Sequence, residues 1–309
     1  MFFKGMTREE LDILLREEVR AAIEQNIECD PLKIALNKKI PYAREVASQV
    51  KYLQRARHKL PRLYRARGII PQRAFEQSSS EECAAIKHIE GEALLDLTCG
   101  LGIDSAALAQ RFRRVVALER DTVLAAITRE NMRRMGIENV EVICCSAEEY
   151  LARCTEHFDW VYADPDRRGD KGQKLVRLED CSPDILALLP DIQRISHNLA
   201  IKNSPLFDVD EAFRLFPEAR VEVISLAGEC KEVIIYTHTD TRNGEAMLAA
   251  EAVGRGRYEV RRKEIDNTPT EAEFEAERFR YLVIPDVALQ KARLVCHSLR
   301  GKAHVWSNN

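Results

Sequence analysis

Apolar residues in the first quarter of the chain recur at helical spacing. Leu11, Leu14, Leu15, Val19 and Ala22 fall along one face. Thr7, with Glu10 three residues on, is a capping-box signature, so the pattern predicts a helix over 7–26. Asp30-Pro31 opens a second, shorter helix that residues 38–41 end. A third runs over about 42–59 and is broken by Pro61, which lacks the N–H a helix interior needs. Residues 1–73 therefore read as a small helical domain, with 68–71 as the linker leaving it.

From residue 74 the period alternates. Apolar runs at 94–97, 114–118, 140–143, 159–163 and 195–201 read as strands. Each precedes a helical pattern: from Asp104, from Asp121 to Met135 with Gly136 behind it, from Ser146, near Pro183, and from Asp208. Strands alternating with helices predict a parallel sheet covered on both faces. The runs at 221–226 and 232–236 are joined by too few residues for a crossover, so that pair must be antiparallel. Beyond about residue 239 the pattern changes. The segments 247–253 and 258–262 flank Gly254-Arg255-Gly256-Arg257 and predict a hairpin, 281–285 reads as a strand and 286–299 as a helix. The expected organisation is a helical domain at 1–73, an α/β domain at 74–240 and a small α+β appendage at 241–309.

At the first of these strands the pattern carries chemistry. Residues 94–102 read Leu-Leu-Asp-Leu-Thr-Cys-Gly-Leu-Gly, and Glu119 closes the next apolar run. An acid ending a strand, a glycine turn opening a helix and a second acid one step later suit an adenosine-containing cofactor. Gly100 and Gly102 permit a tight turn and close approach of a ligand to the backbone. Glu119 is placed to accept hydrogen bonds from both ribose hydroxyls. A dinucleotide fingerprint would need a third glycine, but Ile103, Asp104, Ser105, Ala106 and Ala107 follow Gly102, and the phosphate-loop motif G-x-x-x-x-G-K-[ST] does not occur. Asp96, before the turn, suits a ligand amine. Amine, carboxylate and adenosine together describe S-adenosylmethionine, with Asp96 on the amine and the backbone N–H groups around Gly100 and Gly102 on the carboxylate. Thr98, Asp104 and Arg120 are further candidate contacts, and Ser146 and Ala147 follow the third strand, at the adenine edge. For a lone glycine pair, an ordinary strand-to-helix turn is the alternative.

The motif at 96–102, with Glu119 and Asp164-Pro165, resembles the class I S-adenosylmethionine-dependent methyltransferases over roughly 74–240. The resemblance implies a Rossmann-like fold, a mostly parallel seven-stranded sheet closed by an antiparallel hairpin. More narrowly, Glu76-Gln77-Ser78-Ser79, Asp164-Pro165-Asp166-Arg167-Arg168 and Leu178-Glu179-Asp180-Cys181-Ser182-Pro183 look like bacterial methyltransferases carrying a C-terminal THUMP-like domain. THUMP domains are RNA-binding modules of RNA-modifying enzymes, so RNA is the partner implied. Those proteins continue into that module where this chain stops, so a shortened form is expected, with 241–309 a possible ferredoxin-like piece before it.

Asp164-Pro165-Asp166-Arg167-Arg168 directly follows its strand, where ligands of open α/β sheets sit. Asp164 would accept a hydrogen bond from the nucleophile or act as its base, and Pro165 offers a carbonyl. Enzymes that methylate exocyclic base amines carry Asn- or Asp-Pro-Pro-aromatic here. Asp166 and Arg167 replace the second proline and the aromatic, so base stacking falls to the arginine plane or to another residue. Arg167 and Arg168 suit a phosphate-bearing substrate, or pair with Asp166 or Asp170. RNA uracil C5-methyltransferases attack the ring with the cysteine of Ser-Cys-Asn-Pro. The matching strand end here is Lys202-Asn203-Ser204-Pro205, without that cysteine, and nothing in the sequence activates Cys181. Gln77 and Ser78 either line the methionine end of the cofactor or belong to a helix cap. Lys202 either contacts substrate or pairs with an acid.

Charge narrows the partners. The net charge is −3, so the chain as a whole is not a basic nucleic-acid binder. Residues 51–73 nonetheless carry Lys51, Arg55, Arg57, His58, Lys59, Arg62, Arg65, Arg67 and Arg73 with no acid between them. This stripe, with Arg55, Arg57, Lys59 and Arg62 as candidate contacts, suits an RNA backbone. It reads equally as a solvated face whose acids lie elsewhere. None of the nine cysteines forms a C-x-x-C and no histidine has a partner at ligand spacing, so no metal site is expected. No apolar stretch approaches a membrane span and the N-terminus lacks a signal-peptide core, so a cytoplasmic protein without a membrane partner is expected. The reading is a methyltransferase acting on RNA at a base nitrogen. A protein or small-molecule methyltransferase, and a non-catalytic RNA-binding protein on the same fold, are the alternatives.

Overall fold

The computed structural model describes residues 5–166, 178–237, 245–269 and 280–305. The chain packs as two compact units, Met1–Tyr162 with Arg194–Ser196, and Ala163–Gln193 with His197–Asn309.

The first unit begins with α1 (Arg8–Leu14). The Thr7 hydroxyl accepts the Glu10 N–H, and the Glu10 carboxylate accepts the Thr7 N–H at 2.7 Å, which completes the expected capping box. The single helix expected over 7–26 is two, because Arg16 is extended and α2 (Glu17–Gln25) starts after it. The break lets Leu11, Leu14, Val19, Ala22 and Ile23 share one core, and it leaves Leu15 exposed. Then come α3 (Pro31–Leu36), capped by Asp30, α4 (Ala43–Lys59), α5 (Pro61–Arg65), α6 (Gln72–Gln77) and α7 (Glu81–Ala85), capped by Ser80.

Residues 68–71 are not a solvated linker. Ile69 and Ile70 are buried. The Asn131 side chain accepts the Ile69 N–H at 2.8 Å and donates to its carbonyl at 2.9 Å. Gln49 does the same for Ile70, at 3.1 and 3.2 Å. Two side-chain amides thus stand in for the neighbouring strand that a buried extended segment needs. A Cβ on Gly68 would lie 2.2 Å from Leu63 Cδ1, so glycine serves close packing here rather than flexibility. The core under the helices continues through Leu101, Ile103 and Ile127.

The same unit holds β1 (Gly91–Asp96), α8 (Ile103–Leu108), β2 (Phe112–Leu118), α9 (Thr122–Arg134), β3 (Val140–Ile143), α10 (Ala147–Leu151) and β4 (Trp160–Ala163). All four strands are parallel, in the order β3-β2-β1-β4. Asp96 is level with Ala117 on one side and Tyr162 on the other, which brings the carboxyl ends of these strands to one edge.

In the second unit, Asp166 pairs with Ser182 through two backbone hydrogen bonds of 2.8 and 2.9 Å. There follow α11 (Ile185–Ile195), β5 (Leu199–Asn203), α12 (Val209–Leu215), β6 (Arg220–Leu226), β7 (Glu229–Thr237), β8 (Met247–Ala252) and β9 (Gly256–Arg261). The strand expected at 195–201 begins only at Leu199, because Ile195 closes a helix that accommodates Pro190 in its interior. The closing hairpin is as expected: β6 and β7 are antiparallel, turning through Ala227 and Gly228 at positive φ. β7 lies between β5 and β6 and is antiparallel to both. The hairpin of the appendage is also present, but it joins the sheet. β8 runs parallel to β6 and β9 antiparallel to β8, giving β5-β7-β6-β8-β9. These two strands lie beyond the seven expected. Residues 281–285 form no strand, and Tyr281, Leu282, Val283 and Ile284 are each at least 70% exposed. The helix expected over 286–299 is split into α13 (Val287–Lys291) and α14 (Val295–Leu299) by Arg293 at φ 55°. The turn buries both Ala292 and Leu294, which a straight helix would place on different faces. Among the described residues no helix is long and apolar enough to cross a membrane.

Candidate cofactor site

The turn after β1 is fixed by its own side chains. Asp96 is 1% exposed. One carboxylate oxygen accepts the Thr98 N–H at 2.9 Å and the other accepts the Ser105 hydroxyl from α8. Asp96 therefore ties the end of the strand to the helix it precedes. Gly100 is clamped from two sides: its N–H donates to Glu119 at 3.0 Å, and its carbonyl accepts the Thr128 hydroxyl of α9 at 2.8 Å. The Gly102 N–H donates to the Cys99 carbonyl at 2.8 Å. The Gly100 and Gly102 donors, expected to meet a ligand carboxylate, are thus engaged within the chain.

The two glycines differ in why they are glycine. Both have positive φ, 55° at Gly100 and 78° at Gly102. A Cβ on Gly102 would lie 2.5 Å from Met132 Cε and 2.7 Å from Thr128 Cγ2, so the protein fills that space itself. A Cβ on Gly100 would meet nothing nearer than the Thr98 carbonyl at 4.0 Å. The turn therefore offers bare backbone to an open side, as a cofactor lying against it requires.

Glu119, at the end of β2, is half-buried. Its second oxygen accepts the Asp121 N–H at 2.8 Å. Burial pushes its carboxyl above the usual range, against the pull of its two backbone hydrogen bonds. Two hydrogen bonds leave lone pairs on both oxygens, the acceptor arrangement a ribose diol needs. These residues fit an adenosine-bearing cofactor. Arg120 is exposed beside Glu119. Ser146 caps α10 through a capping box with Glu149, and Ala147 is buried in its first turn. The Cys99 thiol beneath the turn is held well above its ordinary pKa by burial and stays a neutral, apolar wall.

Asp104 is anchored on α8. It accepts the Ser79 hydroxyl at 3.0 Å and faces Lys87 Nζ at 3.3 Å, with Lys87 only 1% exposed. The Lys87 ammonium also donates to the Cys83 carbonyl. The segment before β1 therefore reaches the cofactor helix through Ser79. Gln77 accepts from Arg73, and the Ser78 hydroxyl donates to the Phe75 carbonyl. Sequence reasoning missed Thr128, Ser105 and Lys87. Ser105 and Thr128 are polar residues on otherwise apolar helical stripes, which is the one signal that marks them, and Lys87 lies just past the end of α7.

In the second unit, Lys202 Nζ lies 2.5 Å from Asp164 Oδ2, with the two side chains 7% and 22% exposed. Lys202 is thus an ion-pair partner of the residue expected to face the nucleophile. Pro165 follows, and Cys181 is buried. Arg167 and Arg168 lie outside the described residues.

Three arginines of the basic stripe are paired with acids. Arg57 bonds Glu28 and Tyr64, Arg67 bonds Glu24 at 2.6 and 3.0 Å, and Arg55 lies 3.8 Å from Glu76 while stacking over Tyr52 and Phe75. Lys59 donates to the Phe75 carbonyl at 2.7 Å. The Arg62 N–H is held by Glu81. Lys51, Arg62 and Arg65 carry no ion pair among the described residues.

Strand order and glycine turn together define a class I, Rossmann-like α/β fold. Comparison with known proteins agrees. Residues 94–166 match the family model described as "Methyltransferase domain". An uncharacterized S-adenosylmethionine-dependent methyltransferase of Mycobacterium tuberculosis is 28% identical over 166 residues, 53% of this chain and 44% of that protein. The ribosomal RNA small subunit methyltransferase J of Coxiella burnetii is 32% identical over 130 residues, 37% of this chain and 50% of that protein. The crystal structure of a provisionally assigned methyltransferase from Porphyromonas gingivalis W83 superposes with a TM-score of 0.77 at 25% identity, covering 96% of this chain and 76% of that one. The chain thus spans about half, or less, of the curated relatives' length. Its likeness to a methyltransferase domain rests on residues 94–166.

Proposed function

We propose that this chain transfers the methyl group of S-adenosylmethionine to RNA, at a nitrogen of a base. The observation that carries the cofactor half is the Gly100 backbone, clamped between Glu119 and Thr128 with open space above it. Glu119 takes the ribose hydroxyls, and Asp96 and Asp104 hold the turn and its helix in place. Asp164, positioned by Lys202, accepts a hydrogen bond from the attacking nitrogen. When bound, S-adenosylmethionine would supply the methyl group, and Asp164 would take the proton that the attacking nitrogen gives up. RNA as acceptor is supported by the relatives described as ribosomal RNA or RNA methyltransferases and by the resemblance to THUMP-like-domain proteins.

One observation favours a second reading, a protein or small-molecule acceptor: the pairing of Arg55, Arg57 and Arg67 with acids of the chain itself. Mass spectrometry of total RNA from a deletion strain separates the two. Loss of one methylated nucleoside is expected. An unchanged nucleoside profile beside intact binding of S-adenosylhomocysteine removes RNA and leaves the methyltransferase.

A further inference from the structure

A cavity of about 230 Å³ opens in the first unit, away from the glycine turn. Its apolar wall includes Leu14, Ile23, Leu53 and Ile69, and its polar lining Arg20, Glu24, Arg67 and Arg134. Glu24 and Arg67 are engaged with each other at 2.6 and 3.0 Å. Arg134, the last residue of α9, is different. Its side chain is 9% exposed. Nε donates to Glu130 at 2.6 Å and Nη1 to the Arg67 carbonyl at 2.5 Å, but buried Nη2 meets no acceptor among the described residues. A buried guanidinium nitrogen with both hydrogens unmet is costly, and an oxyanion is its natural complement. Arg20 is exposed at the same cavity and makes no ion pair among the described residues.

We infer that this cavity binds a small oxyanion, a carboxylate or phosphomonoester, carried on an apolar body the size of one ring. Three cations and one acid line it, so an anion is favoured. An apolar cavity of about 150 Å³ is enough for benzene, and ligand pockets usually start near ~300 Å³, so the occupant is small. The head group meets Arg134 and Arg20, and the ring lies against Ile23 and Leu53. Nothing in this requires the cofactor site to work.

Benzoate, phenyl phosphate and the neutral benzyl alcohol, titrated into the full chain without S-adenosylmethionine, test it by calorimetry and thermal shift. Benzoate or phenyl phosphate should bind and raise Tm, and whichever is tighter identifies the head group. Benzyl alcohol should bind about tenfold more weakly or not at all. Arg134→Gln should weaken the anion about tenfold. Arg20→Glu, exposed and so not expected to disturb folding, should weaken it severalfold. No binding of either anion, equal binding of benzyl alcohol, or wild-type affinity in folded Arg20→Glu overturns the proposal.

Discussion

At the scale of single residues, the glycine turn separates packing from ligand contact. Gly102→Ala places a methyl against Thr128, which is fully buried and cannot retreat. The expected loss is about 3 kcal/mol of stability, from left-handed strain and overpacking together. Gly100→Ala meets open space, so it should lose only about 1–2 kcal/mol to strain yet bind S-adenosylhomocysteine at least tenfold more weakly. Urea denaturation and calorimetry on the same two proteins check this, and equal affinities would place the cofactor elsewhere. Glu119 sets the pH dependence. Its carboxyl is raised by burial, so protonation begins at higher pH than for an exposed glutamate. For folding the sign is that of a raised acid: its contribution is full below the ordinary glutamate pKa and is lost as pH rises through the folded value. For the cofactor the sign is opposite, since ribose hydroxyls donate to the ionised form. Affinity should therefore fall on acidification while stability does not fall from this group. Glu119→Gln should flatten the profile and weaken binding at neutral pH.

At the scale of elements, strands were legible where an apolar run ended at a charged residue, as at β1, closed by Asp96, β2, followed by Glu119, and β4, followed by Asp164. The run before β5 lacked such a mark at its start. Ile195 looks like the start of a strand but ends α11, because a helix with Pro190 inside defies the rule that proline breaks helices. Residues 68–71 read as a linker, yet Ile69 and Ile70 are buried, and the Asn131 and Gln49 amides that pair with them lie far away in sequence. The cofactor turn was legible down to Asp96, the two glycines and Glu119, because their spacing is local. Thr128, a polar residue on an apolar stripe, and Lys87, just past α7, were not, because each shows its purpose only once its partner element is placed. Lys87 yields a test at this scale. Its pairing with Asp104 fastens α8 beside the segment 79–87, and Lys87→Met leaves a buried carboxylate uncompensated, at a cost of about 3–5 kcal/mol. The double variant Lys87→Met/Asp104→Leu should recover much of that stability. It should still bind S-adenosylhomocysteine less well than wild type, since Asp104 also accepts the Ser79 hydroxyl. Additive losses in denaturant melts would show that the two side chains do not act as a pair.

At the scale of the whole molecule, charge decides how RNA could be held. The chain carries a net charge of −3, and three guanidinium groups of its long basic stripe, those of Arg55, Arg57 and Arg67, are spent on internal acids. Such exposed pairs add little stability, but they occupy the guanidinium groups that would otherwise meet phosphates. Lys51, Arg62 and Arg65 are the stripe residues that remain without an ion pair among the described residues. If these three make the phosphate contacts, log K should fall against log salt with a slope of about −2 for single-stranded RNA. Replacing all three with glutamine should bring that slope close to zero, whereas Arg57→Gln should leave it unchanged, because Arg57 already faces Glu28. Filter binding between 50 and 200 mM salt, roughly the range over which phosphate contacts are read, measures both. A slope of about −5 or steeper that survives the triple replacement would move the RNA surface off the stripe altogether, and binding that ignores salt would favour a small uncharged acceptor.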